Sequence, residues 1–292
     1  MQKIGLVADA VADLSRELTE KYQIEVVPVK MDWPELEALS GNNTFQKMRE
    51  MEKKGLTSFG KTSQPSPKDF LIAFKKQLGS FEKIVCITVT SKLSGTYNSA
   101  VQAKSMLPNE EKERIFVVDC LNASAGEGLS TYKALDLIEE GKNAEEIAKE
   151  LEKFVPQAHF IGMISDPKWV EAAGRMTHTL AEWVRRAQKI GLRPLLGMKK
   201  GTLTSVGIKA GAKSIPAALL DELEKKTKKL REQGKRIRVT IAHGDVEEQA
   251  QELKTMIETK IKGMEVVSVT IIDDVLSVIS GPDAILVGWA GI

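Results

Sequence analysis

Short apolar runs that alternate with helical patterns constrain this chain more than any other feature. The runs stand at Ile4–Val7, Ile24–Val29, Ile84–Val89 and Ile115–Val118. Helical patterns at Leu14–Lys21, Thr44–Lys54, Asp69–Leu78, Asn98–Met106 and Leu129–Glu140 lie between or beside them. Parallel strands need a crossover of about a dozen residues, and helices of this length supply it. The pattern therefore predicts an α/β fold, a parallel sheet with helices on both faces. Each run ends in a polar or small-residue turn: Asp9-Ala10, Ser91–Thr96, and Asp119–Gly128. Open α/β sheets bind ligands outside the carboxyl ends of their strands, where such turns gather.

A capping box at Asn143-Ala144-Glu145-Glu146 opens a further helix that ends near Phe154. The character then changes. A strand is expected at Phe160–Ile164 and helix over Asp166–Lys189. A hairpin follows, with Leu195–Met198 and Leu203–Ile208 joined at Lys199-Lys200-Gly201. Next come a helix over Ser214–Gln233, a strand at Ile237–Ala242, a helix over Val246–Lys262 and a strand at Val266–Ile272. The apolar run Ile285–Ile292 is too short for a membrane span and reads as core. The boundary is expected near residue 160: an α/β domain over 1–160, and a smaller α+β domain over 161–292.

Composition narrows the function classes. With 292 residues, 42% apolar and 28% charged, the chain is of the globular class and long enough for two cores. A net charge of +2 gives no electrostatic ground for nucleic acid. The run Lys225–Arg238 holds eight Lys/Arg against Glu232, but Leu219, Leu223 and Leu230 mark a core-facing stripe beneath it. Its lysines are read as a solvated helix face, with neither nucleic acid nor integral membrane as partner. Cys86 and Cys120 lie in apolar runs and read as buried free thiols, which points to a reducing cytoplasm. Met1-Gln2-Lys3 opens directly on a strand, which predicts no signal peptide.

Two hydroxyl-rich loops carry the candidate chemistry. In Thr62-Ser63-Gln64-Pro65-Ser66-Pro67, Ser66 is placed to cap a helix, with Pro67 at its first position and Asp69 at its third. The second loop, Ser91-Lys92-Leu93-Ser94-Gly95-Thr96-Tyr97, joins an apolar strand to a helix start. Hydroxyls and free backbone N–H groups at a helix N-terminus suit an anion, although the same residues also serve as plain caps. Ser124, flanked by Gly126 and Gly128, adds a third turn of the same kind. If these starts share one edge of the sheet, their hydroxyls converge on one acidic group.

Other chemistries lack their motifs or the context for them. Gly55–Thr62 spells G-x-x-x-x-G-K-T, but it follows the helical pattern Thr44–Lys54 and not an apolar strand, so no phosphate loop is expected; no G-x-G-x-x-G or G-x-S-x-G occurs. His159, His178 and His243 are scattered without metal-ligand spacing, so no metal site is expected. His243 ends an apolar strand before Gly244-Asp245, as a turn cap or as a base. A small-anion hydrolase or acyl-transfer enzyme using Ser94 and His243 is the alternative reading. Arg175, after Gly174, could meet an anion or lie at the surface.

The stretches Thr62–Phe70 and Ser91–Ala100 resemble the DegV family of bacterial fatty-acid-binding proteins. So do Val117-Val118-Asp119 with Ser124, Gly126 and Gly128; Gly174-Arg175; and Gly281-Pro282. The resemblance implies a cytoplasmic two-domain α/β protein that holds one long-chain fatty acid between its domains. It implies a carboxylate hydrogen-bonded by Thr62 and Ser94, with Ser63, Gly95 and Thr96 beside them. Ser124, Arg175, Ile279 and Ser280 would be secondary contacts. It further implies a non-enzymatic carrier or presenter with no catalytic residue, metal or cofactor beyond the bound acid, whose partner is a fatty-acid kinase subunit.

The chain departs from the family pattern at four places. Asp9-Ala10 replaces Asp-Ser, and Ile279 stands where a His is usual. Ala173-Gly174-Arg175 replaces Gly-Gly-Arg, and Ile208-Lys209-Ala210 replaces Lys-x-Arg. His and Arg neutralise developing charge. Their loss predicts a protein that binds fatty acid and couples poorly, or not at all, to a standard fatty-acid kinase.

Overall fold

The computed structural model describes residues 2–211 and 214–292; Met1, with which the expected first strand opens, lies outside them. The chain divides into two compact units. The first is Met1–Lys30, Ser63–Ala158 and Lys200–Thr202; the second is Met31–Thr62, His159–Lys199 and Leu203–Ile292. In place of a single cut near residue 160, the chain changes unit at Lys30/Met31, Thr62/Ser63 and Ala158/His159, and again around Lys200–Thr202.

The strands of the first half are β1 (Gln2–Asp9), β2 (Glu25–Val27), β3 (Lys30–Asp32), β4 (Lys61–Ser63), β5 (Phe81–Thr88) and β6 (Ile115–Asp119). Four of them form the parallel sheet of the first unit in the order β2-β1-β5-β6. Period-two alternation sends side chains to two cores. Leu6, Ala8, Val85, Ile87 and Val118 pack with Ala134, Leu137, Ile147 and Leu151 from the helices Ala125–Glu139 and Ala144–Phe154. Val7, Ile84, Cys86 and Ile115 pack with Phe70, Phe74, Ala100 and Ala103 from the helices Pro67–Leu78 and Thr96–Ser105. Helices cover both faces, so the fold class is the α/β one read from the sequence. Cys86 and Cys120 are buried and free.

Three expected elements fall differently, each for a local reason. The run Ile24–Val29 breaks at Pro28, which has no N–H to donate to a ladder. Only Glu25–Val27 joins the sheet, and β3 restarts to pair with β4 in a two-stranded ribbon. Thr62 and Ser63 therefore lie in a ribbon strand, β4, and not after a strand of the parallel sheet. The helix expected from Leu129 begins at Ala125, so Gly126 and Gly128 are helical. Their lack of Cβ permits close packing: a Cβ on Gly126 would lie 2.8 Å from Asn122 Oδ1, and one on Gly128 3.3 Å from Ala12 O. Finally, the helix expected over Asp166–Lys189 is two, Lys168–Ala172 and His178–Lys189. Gly174 at φ 71° turns the chain, and Thr177 caps the second helix.

The later strands are β7 (His159–Met163), β8 (Leu192–Lys199), β9 (Thr202–Ala210), β10 (Ile237–His243), β11 (Met264–Ile271) and β12 (Ile285–Gly291). They make a six-stranded sheet, β11-β10-β12-β7-β8-β9. β10 and β11 are parallel, while β12 runs antiparallel to both β10 and β7. The C-terminal apolar run is thus an inner strand. Lys200 and Gly201, both at positive φ (51° and 81°), join β8 to β9 as a two-residue hairpin turn.

Within the second unit, residues 31–62 are tied down by packing and charge. Phe45, Met48 and Met51 are at most 1% exposed. Arg49 Nη1 donates to Asp245 Oδ2 at 2.5 Å, and Nη2 to Asp283 Oδ1 at 2.7 Å. Nη2 also reaches the carbonyls of Gly244 and Asp245. Asn43 Nδ2 donates to Asp245 Oδ1 at 2.8 Å. Trp33 and Phe59 both pack on Trp169, with ring centroids 6.0 and 5.4 Å away. Among the described residues no helix is long and apolar enough to cross a membrane.

Candidate functional site

At the carboxyl end of the first unit's sheet, three turns are stitched together by hydrogen bonds. Asp9, fully buried at the end of β1, accepts from Val11 N through Oδ1 and from Val89 N, just after β5, through Oδ2. Thr90 N donates to Asn122 O at 2.9 Å, and Ser124 N to Val11 O at 3.0 Å. Asp119, at the end of β6, accepts from Ser91 N and Leu121 N. Each carboxylate holds the turn of a neighbouring strand, so the crevice predicted by the fold class has a fixed floor.

The loop Ser91–Thr96 rises from that floor. Ser94 Oγ and Thr96 Oγ1 are 2.8 Å apart, and Thr96 N donates to Ser94 Oγ at 3.3 Å. Ser99 N donates to Gly95 O. Gly95 is the N-cap and has no side chain to satisfy the amides between, so this helix start leaves donors open at its positive end. Ser94 is half-buried and Thr96 buried. A hydroxyl pair beside a helix start with no side-chain cap has the donors that suit a carboxylate or phosphate oxygen.

The first hydroxyl loop meets the second inside this unit. Gln64 Nε2 donates to Ser99 Oγ at 3.3 Å. A Cβ built on Gly95 would lie 2.0 Å from Gln64 Oε1. The loop enters its helix through the expected capping box: Ser66 Oγ accepts from Asp69 N, and Asp69 Oδ2 from Ser66 N. Ser66 Oγ also donates to Asp69 Oδ2 at 2.7 Å, and that bond, with the one from Ser66 N, holds the Asp69 carboxyl below its ordinary range. Ser63, immediately before Gln64, is exposed; Thr62, the last residue of its segment of the second unit, is half-buried.

Gln64 is the residue that sequence reasoning quoted within a motif but did not name as part of the site. Its signal was its place between Ser63 and Pro65. Asp13 was missed altogether. The buried Ser124 hydroxyl donates to it, and both residues sit at positive φ, 52° for Ser124 and 48° for Asp13. Ser124 thus spends its hydroxyl on a strained turn that aligns the helix Ala125–Glu139, a positioning role.

The remaining expected residues lie in the second unit. Arg175 is half-buried and its Nη1 donates to Ala173 O, closing its own turn. Ile279 is half-buried near the end of the helix Asp274–Ser280, and Ser280 is 5% exposed. His243 is 5% exposed, and its Nδ1 accepts from Val246 N at 3.3 Å. Burial lowers its pKa, so it stands as a neutral turn cap with its proton on Nε2. Among the described residues no group of three or more His, Cys, Asp or Glu is placed to hold a metal ion.

Comparisons with known proteins converge on one family. The family model described as "Uncharacterised protein, DegV family" matches residues 3–291. A DegV domain-containing protein of Clostridium acetobutylicum is 32% identical over 229 residues, 76% of this chain and 77% of its own. A protein of Thermotoga maritima named fatty acid-binding protein is 30% identical over 277 residues, covering 91% of this chain and 89% of that one. Among solved structures, a Thermus thermophilus DegV-family protein described for its fatty acid binding aligns with a TM-score of 0.79 at 25% identity. That alignment covers 99% of this chain and all of the other.

Proposed function

This chain belongs to the DegV family, and from that premise we propose that it binds one long-chain fatty acid, with Ser94 and Thr62 as hydroxyl donors to the carboxylate. Ser63, Gly95 and Thr96 complete the headgroup site, and Arg175, Ile279 and Ser280 are its outer contacts. The observation that carries this reading is the helix start at Gly95. Paired hydroxyls and uncapped amides stand there at one point, held from the side by Gln64. Its relatives of 30% and 25% identity are described as fatty acid binding.

The energetics favour a tail-driven ligand. Burying about fourteen methylenes at ~0.8 kcal/mol each yields on the order of 11 kcal/mol before the costs of association. A hydrogen bond to a charged group adds about 1.5–3 kcal/mol. Affinity then resides in the acyl chain, and the hydroxyls decide which end faces outward. The protein acts as a cytoplasmic carrier or presenter, and any phosphoryl transfer to the acid is performed by a partner kinase subunit.

Denaturing extraction of the purified protein followed by mass spectrometry tests the reading directly. The expected result is one equivalent of a long-chain fatty acid in the wild type and several-fold less in Ser94→Ala and Thr62→Ala. A protein free of fatty acid and unable to take it up from solution removes the proposal. Equal retention in all three proteins removes the assignment of the residues.

A further inference from the structure

The sheet of the second unit carries a second concavity, away from the turns at Gly244 and Pro282. His243 pairs with Ile285 at the start of β12, whereas Trp289, near its end, pairs with Val239 on one side and His159 on the other. At that end lies a cavity of about 240 Å³. Ile161, Val206 and Met198 give it apolar lining; His159, Trp289 and Lys226 are its polar members.

Three features of this cavity point to an occupant. Trp289 is 4% exposed, and its indole Nε1, a donor only, has no hydrogen-bond partner among the described residues. A buried N–H without an acceptor is a loss that a ligand oxygen recovers. The Lys226 ammonium is only loosely neutralised: it lies 3.6 Å from Glu222 Oε1, while Lys209 holds Glu222 Oε2 at 2.8 Å. The positive charge of Lys226 is also felt across the cavity. Burial, and then that charge, lowers the pKa of His159. The imidazole, packed on the Trp289 indole at 5.2 Å, is therefore neutral near pH 7.

We propose that this cavity binds a small apolar carboxylic acid, aromatic or branched. Its carboxylate accepts from Trp289 Nε1 and faces Lys226, and its body lies against Ile161, Val206 and Met198. Size sets the class. The cavity, about 240 Å³, falls below the ≈300 Å³ at which sites for drug-sized ligands begin, which suits a single ring or short branched chain. The site is distinct from the headgroup loops and does not depend on them.

Phenylacetate, with phenylacetamide as its uncharged counterpart, tests the proposal on full-length protein saturated with palmitate. The readout is the indole N–H resonance of Trp289, one of four tryptophans, identified by its absence in Trp289→Phe. Phenylacetate is expected to move that resonance downfield with saturation. Binding should be about ten-fold weaker for phenylacetamide and for Lys226→Met. Palmitate content should be unchanged in Lys226→Met, whose substitution lies on an exposed helix face. A Trp289 resonance that does not move, or one that moves with equal affinity in Lys226→Met, overturns the proposal. Failure here leaves the fatty-acid reading standing, because palmitate retention is measured on the same samples.

Discussion

Gln64 lies so close over Gly95 that a single added carbon would collide with it: a Cβ there would meet Gln64 Oε1 at 2.0 Å. The backbone of Gly95, at φ −78°, suits any residue, so glycine is required by this contact alone. Gly95→Ala is expected to push the exposed Gln64 side chain aside and break its bond to Ser99. Because a flexible side chain can yield, the stability change should stay within about 1 kcal/mol. Fatty-acid retention should fall several-fold. In a Gln64→Ala background, Gly95→Ala should cost nothing further, and an undiminished loss there would show that Gln64 does not shape the site.

Arg49 anchors residues 31–62 within the second unit. Its guanidinium forks between Asp245 and Asp283 and also serves two carbonyls. Asp245 and Asp283 both hold positive φ (61° and 64°), conformations that the fork stabilises. Arg49→Ala should lower stability by about 1.5–3 kcal/mol, the usual worth of hydrogen bonds to charged groups. Arg49→Lys should recover little, since one ammonium cannot reproduce the fork. Urea unfolding measures the loss. Hydrogen exchange should rise first at Phe45, Met48 and Met51.

Ile279 offers a test of the kinase-coupling expectation. The family pattern has a His here, and the half-buried Ile279 side chain can neither donate a proton nor carry charge. With a DegV-compatible fatty-acid kinase, the wild type should support acyl-phosphate formation weakly or not at all, and Ile279→His should raise it at unchanged fatty-acid content. Vigorous turnover by the wild type would contradict the expectation.

Much of this architecture was legible beforehand because its signals are local. The capping boxes at Ser66 and Asn143, the Lys200-Gly201 turn and the apolar runs of the parallel sheet depend on neighbours within a few residues. What escaped depends on distant partners or on one decisive residue. Pro28 ends a run that apolar content alone would extend. The helix start at Ala125 relies on Ser124 reaching Asp13, 111 positions earlier. The assignment of residues 31–62 to the second unit rests on Arg49 meeting Asp245 and Asp283, a contact that periodicity does not encode. For the candidate site, residue types were readable from the loops, but the use of each hydroxyl was not: Ser94 pairs with Thr96, whereas Ser124 is consumed internally.

Glu127 gives the clearest pH signature. It is fully buried on the helix Ala125–Glu139, and among the described residues neither carboxyl oxygen has a hydrogen-bond partner, nor do Ser130 Oγ and Thr131 Oγ1 on the same helix. Burial raises its pKa well above the ordinary value, and the charges of Asp9, Asp13 and Asp119 push in the same direction. The folded state therefore keeps the proton that the unfolded chain releases near pH 4.3, the ordinary value for Glu. Below that pH both states are protonated and Glu127 costs nothing by ionisation. As pH rises beyond it, the unfolded state alone ionises, and stability falls until the folded-state pKa is reached. Glu127→Gln removes the titration and keeps the shape. The variant should match the wild type near pH 4 and exceed it progressively toward pH 8, by an amount read as the growing gap between two urea midpoints. A gap that stays constant with pH would mean that the Glu127 carboxyl is ionised in the folded protein and finds its compensation elsewhere.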